Sequence, residues 1–255
     1  MKFIKFLVFL LPFAMLVSCK KDKPVAEKPD LGYDYYPDQL GRYVIYDCDS
    51  TVYQQIYDST KIYKFQIKEV IDSLFTDNQG RPALRISRYK KLISIYSGFT
   101  LPNTSIILNT DTVLFTDSFK IQDVWWANKT TTTAEVVEEN NRYTKLIFPV
   151  EENKTWNGNA NNTLGPWDYE YINMDEPLTL GTLSFDKTCH VNQFNSQGIV
   201  IYKKIYDEKY ARGVGMIYKE ITDYTWKVNG SQIALIGQID YGLHYKMTAI
   251  QYGTE

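Results

Sequence analysis

From Gly41 onward, apolar and polar residues alternate with a period of two. Tyr43, Ile45 and the Val52-Tyr53 region begin the pattern, and Ile62 to Val70 continues it. Within that run Tyr63, Phe65 and Ile67 fall on one face and Lys64, Gln66 and Lys68 on the other, as in a half-buried strand. Asp77-Asn78-Gln79-Gly80 predicts a turn. Leu84, Ile86 and Leu92 to Tyr96 then predict returning strands, and Thr112 to Val124 another alternating stretch. Glu135 to Phe148 predicts a hairpin around Asn140-Asn141.

The run Lys154 to Asn162 is dense in asparagine and glycine and lacks periodicity, so it predicts a loop. Strands are expected again over Trp167 to Met174, Thr182 to Val191, Gly198 to Tyr206, Arg212 to Trp226 and Ile233 to Gln251. Asn229-Gly230, between alternating segments, predicts a two-residue hairpin. No window carries a sustained i, i+3, i+4, i+7 stripe, so helix should be scarce. The expected fold class is all-β. It is a single antiparallel meander, closed or strongly curved into a barrel, with a β-sandwich as the alternative.

The N-terminus follows another pattern. Lys2 and Lys5 precede an apolar stretch, Phe6 to Leu16, that is too short to cross a bilayer. It ends in Leu16-Val17-Ser18-Cys19, which resembles the lipobox of bacterial lipoproteins. That resemblance implies a signal peptide over residues 1–18 and acyl chains on Cys19. Two or three chains hold a protein on a membrane essentially permanently, where one chain alone binds marginally. Residues 19–33 are expected to be the lipidated cysteine and a charged, proline-containing tether, and residues 34–255 a single β domain. No later segment is long and apolar enough to span a membrane as a helix. The implied location is the outer membrane, on its periplasmic leaflet or at the cell surface. Lys20-Lys21-Asp22 loosely resembles the charged surface-export signals of Bacteroidota lipoproteins. Four Asp-Ser/Thr triplets, beginning at Asp49, Asp58, Asp72 and Asp111, resemble the O-glycosylation sequon of that phylum. Tyr210 to Glu220, with Gly213 and Gly215 two apart, resembles uncharacterised Bacteroidota envelope lipoproteins. These are distantly similar to periplasmic lipid-carrier half-barrels. Two glycines on one strand face would permit a sharp bend there or the close approach of another element.

The full-chain net charge is −2, which gives no basic excess to attract nucleic acid. Cys48 and Cys189 are a candidate disulfide in an oxidising compartment, with two separate buried thiols as the alternative. His190 and His244 are the only histidines, too few for a zinc site, so no metal and no cofactor is expected. Acidic residues such as Asp47, Asp49, Asp123, Glu138, Glu139, Asp168 and Glu170 are plentiful, but no motif selects a catalytic pair among them. The chain is therefore expected not to be an enzyme. Trp125, Trp126, Trp156 and Trp167 are the candidate ligand-binding residues. Indoles beside the asparagines of the 157–162 loop would suit a glycan, whereas indoles turned inward would fill a core. An apolar lumen holding a hydrophobic molecule is the third alternative. The expected partners are the membrane, through the anchor, and a glycan, hydrophobic ligand or envelope protein. The expected function is ligand or partner binding near the membrane, with a structural role in an outer-membrane complex as the alternative.

Overall fold

A computed structural model describes residues 29–55, 59–99, 107–110, 116–196 and 199–255. The lipobox and Cys19 lie outside the described residues. The chain divides into two units, Met1–Asp30 and Leu31–Glu255.

The second unit is built from antiparallel strands: β1 (Arg42–Gln54), β2 (Ser59–Thr76), β3 (Pro82–Phe99), β4 (Ile107–Thr110), β5 (Lys120–Lys129), β6 (Thr133–Glu138), β7 (Asn141–Ile147), β8 (Thr155–Asn157), β9 (Asp168–Leu180), β10 (Leu183–Asn195), β11 (Tyr202–Ala211), β12 (Gly215–Val228) and β13 (Ala234–Thr254). Among the described residues the one helical element is a 3-10 turn, Tyr33–Tyr35. The sheet order is β7-β6-β5-β3-β2-β1-β13-β12-β11-β10-β9-β8, with β4 pairing only β3. The expected all-β meander is therefore present, and it curls into a nearly closed barrel.

The first and last strands of the barrel pair along their length, from Arg42↔Thr254 to Tyr53↔Gly242. The gap in the ladder falls mid-sequence instead, between β7 and β8. One backbone bond crosses it, from the Thr144 N–H to the Gly158 carbonyl at 2.9 Å. Side chains complete the closure. The Trp156 indole N–H donates to the Thr144 carbonyl at 2.8 Å, and the Asn162 amide to the Arg142 carbonyl at 2.9 Å.

Three turns differ from the sequence expectation. The β6–β7 turn is Glu139-Asn140, one residue earlier than expected. Both residues have positive φ (48° and 69°), which matches the twist of a two-residue hairpin. Asn229-Gly230 does not form a two-residue hairpin, because β12 and β13 first pair at Val228↔Ala234 across a wider loop. The Asn229 side-chain oxygen accepts from the Ser231 and Ile233 N–H groups, which stabilises that wider loop. Gly213 does not bend a strand either. It sits in the turn between β11 and β12 at φ +68°, and Gly215 opens β12.

The folded unit takes in residues from Leu31, ahead of the expected boundary at residue 34. Val150 N–H donates to the Leu31 carbonyl and Gly213 N–H to the Asp34 carbonyl. The buried Tyr35 ring presents its hydroxyl to Asp175 at 2.7 Å, and Tyr36 and Pro37 reach the interior cavity. Arg212 reinforces this entry, bonding Asp34 at 2.8 Å and Asp175 at 2.7 Å.

Cys48 and Cys189 are free, buried thiols in two different core clusters, so the candidate disulfide is absent. Burial pushes both thiols up, Cys48 to about 12 despite the hydrogen bond from Tyr245. In a chain carrying Cys19→Ala, no thiol is expected to react with a thiol-titrating reagent in the native state. Two should react in denaturant without reductant. A reading of none after unfolding would mean the two sulfurs are bonded.

Candidate functional site

The barrel wall lines a half-open cavity of about 270 Å³. One part of its wall is apolar and aromatic, from Tyr46, Val70, Ile71, Ile86, Val136, Ile221 and Met247. The other part is ionic, and the sequence reading did not anticipate it.

Lys145 on β7 points inward and bonds Glu138 of β6 at 2.8 Å and Glu208 of β11 at 3.0 Å. Lys219 on β12 bonds Glu208 at 3.2 Å. The Tyr210 hydroxyl donates to the second Glu208 oxygen at 2.5 Å. The network thus ties the β6–β7 side of the open seam to the β11–β12 side. Glu208 has no solvent exposure and Lys145 is buried. Burial alone would raise the Glu208 carboxyl. Lys145, Lys219 and the Tyr210 hydrogen bond outweigh it and hold that carboxyl at about 2. Burial likewise opposes the charge on Lys145, but Glu138 and Glu208 keep its amine well above the ordinary range. Glu138 is lowered too, the two lysines overcoming its burial. These groups are ionised at neutral pH and matched to one another.

A second inward charge is Arg88 of β3. It bonds Glu69 at 2.9 Å and Asp123 at 3.5 Å, and its guanidinium lies 3.6 Å from the Trp125 ring centroid. Arg42 and the exposed Glu139 complete the ionic lining, one of each sign.

The four candidate tryptophans do not share one environment. Trp125 lines the cavity beneath Arg88. Trp126, next in the strand, points to the other face, and its indole N–H is buried without a hydrogen-bond partner among the described residues. Trp156 belongs to the seam, edge-on to Tyr169 and tilted on Tyr171. Trp167 packs on Phe194 and Tyr206.

The asparagines of the 157–162 loop are occupied by the fold. Asn157 accepts the Asn159 and Trp167 N–H groups, and Asn159 donates to the Gly165 carbonyl. Asn161 donates to Glu135 and Thr144, and Asn162 to Arg142. The Asn161 and Asn162 bonds lace the seam, and those of Asn157 and Asn159 hold the loop itself.

The two histidines lie apart. His190 is 2.9 Å from Asp207, with Cys189 turned to the opposite face, and His244 is 2.9 Å from Glu220. Among the described residues no cluster of His, Cys, Asp or Glu could hold a metal ion. Of the four triplets, those at Asp49 and Asp72 are described, while Asp58 and the Asp111 triplet lie outside the described residues. Asp72 accepts from two of the Arg85 nitrogens, Nε and Nη2, at 2.7 and 2.9 Å.

An apolar patch lies where β11 begins and β12 ends. Ile199, Val200, Ile201, Val228, Ile233 and Ile236 are exposed there, with Trp226 N–H bonded to the Ile201 carbonyl.

No family model matches the chain, and no curated protein matches it. Two solved structures are similar to it. One is a candidate lipoprotein from Parabacteroides distasonis, 8% identical, covering 86% of this chain and 98% of its own, with a TM-score of 0.31. The other is a candidate exported protein with a YmcC-like fold from Bacteroides fragilis, 9% identical over the same shares, with a TM-score of 0.28.

Proposed function

We propose that the chain is a non-enzymatic, lipid-anchored protein of the cell envelope that holds a small ligand inside its barrel. The cavity of about 270 Å³ carries the binding part of this reading, since specific sites are concave, mostly apolar and furnished with a few fixed polar groups. The lipobox Leu16-Val17-Ser18-Cys19 supports the anchor, on the outer membrane. The ionic wall argues against a long acyl chain, which would leave those charges facing hydrocarbon. The pairing also favours binding over catalysis by Glu208 and Lys145, whose proton equilibria their partners move away from neutral pH.

Native mass spectrometry of the full chain purified from envelopes tests the binding part. A bound small molecule beyond the anchor supports it, and a mass equal to the acylated chain alone overturns it. The anchor is tested separately. Cys19→Ala is expected to move the protein from the membrane pellet to the soluble fraction, and retention in the pellet would remove the lipoprotein reading.

The exposed patch around Val200 and Ile236 favours a second reading, docking of an envelope partner. A stoichiometric protein in the same spectrum, lost with Val200→Ser and Ile236→Ser together, would support it.

A further inference from the structure

The interior charges also limit what the cavity can accept. Resting on the ligand-binding reading above, we infer that the barrel selects an uncharged ligand with an apolar body and hydrogen-bonding groups, and discriminates against both anions and cations.

The argument is one of pairing. Lys145 is held between Glu138 and Glu208, and Lys219 reaches Glu208. Arg88 is bonded to Glu69 and covered on one side by the Trp125 ring. At the buried part of the lining, which holds Lys145, Lys219 and Arg88, an entering carboxylate or phosphate would have to take a lysine or arginine from its carboxylate. That carboxylate would then stay buried without its cation. An entering ammonium would strand a lysine in the same way. Breaking a buried pair is costly because the abandoned charge keeps its desolvation penalty. An uncharged ligand leaves every pair in place and still finds acceptors on the carboxylates and an apolar surface opposite.

Size sets a second limit. The cavity of about 270 Å³ lies at the small end of the range for small-molecule sites, roughly 300–1,000 Å³, so it suits a compact molecule.

Three probes of one shape and different charge test this: 2-naphthol, 2-naphthoate and 2-naphthylmethylammonium, titrated at pH 7 against the full chain by quenching of tryptophan fluorescence. Naphthol is expected to bind at least tenfold tighter than either ion. Lys219→Met removes one cation from the network. It is expected to raise the affinity ratio of the ammonium to naphthol at least tenfold. Should that variant fail to fold, Glu138→Gln is expected to shift the ratio towards naphthoate instead. Either ion binding the parent as tightly as naphthol overturns the charge selection and leaves ligand binding intact. Binding of none of the three counts against the cavity as a ligand site at all.

Discussion

Lys145→Met is expected to lower the unfolding free energy at pH 7 by about 3–5 kcal/mol, the usual cost of breaking a buried ion pair from one side. The side chain lost is apolar-compatible in volume, so the penalty is electrostatic. Glu208 has no solvent exposure, and Lys145 is one of the two amines that offset its burial. The pH dependence follows from the direction of each shift. Glu208 is depressed, to about 2, from an unfolded value near 4.3. Its contribution is therefore present above that unfolded value and is lost as pH falls towards 2. Lys145 is raised, so its contribution is present below an unfolded value near 10.4 and is lost as pH rises through the folded one. Urea unfolding of parent and variant should therefore differ most between about pH 5 and 10, with the gap narrowing below about pH 4 and closing only as the pH approaches 2. Lys145→Met with Glu208→Leu leaves the Glu138 and Lys219 charges balanced, and should recover much of the loss. Equal stability of parent and single variant at pH 7 would show that the network contributes nothing.

Gly158→Ala should be nearly as damaging for a steric reason. A Cβ at this position would lie 2.3 Å from the Tyr169 ring, and that ring is itself buried and edge-on to Trp156. The ring has no space to retreat into, so overpacking of about 2–3 kcal/mol is expected. For a domain of this size that corresponds to a melting point lower by about 5–10 °C. Gly230 is the control: nothing lies within 4 Å of a Cβ there and its φ is not positive. Gly230→Ala should stay within about 0.5 kcal/mol of the parent. Similar melting shifts for the two alanine variants by circular dichroism would refute the close approach at the seam.

The strands were legible because one face of each is buried, and burial on one face writes a period of two. Tyr63, Phe65 and Ile67 all reach the core, as their spacing requires. Loop geometry was less legible. Asn229 has the signature of a tight hairpin, but its side chain can cap a longer loop equally well. The interior charges were missed because an inward lysine and an outward lysine are the same letter. A signal did exist. Glu208 has the parity of Tyr206 and Tyr210, Lys219 that of Ile217 and Ile221, and Arg88 that of Ile86. A charge on the apolar parity of a strand is either an error of register or a lining group. The 157–162 asparagines misled in the opposite sense. Their density resembles a recognition surface, whereas their hydrogen bonds are spent on β7 and on the loop itself.

The seam gives this barrel a built-in line of weakness. Elsewhere two strands separate only when a run of ladder bonds breaks together, as over the length of β1 and β13. Between β7 and β8 a single backbone bond, a few side-chain bonds and the Lys145–Glu208 ion pair behind them do the same holding. The strands on either side are consecutive in the chain, joined through residues 148–154, so a short covalent link and side chains supply there what the backbone ladder lacks. A seam held in this way can be loosened by substituting a side chain without touching a strand, so amide exchange is expected to be faster along it than along the β1–β13 pairing.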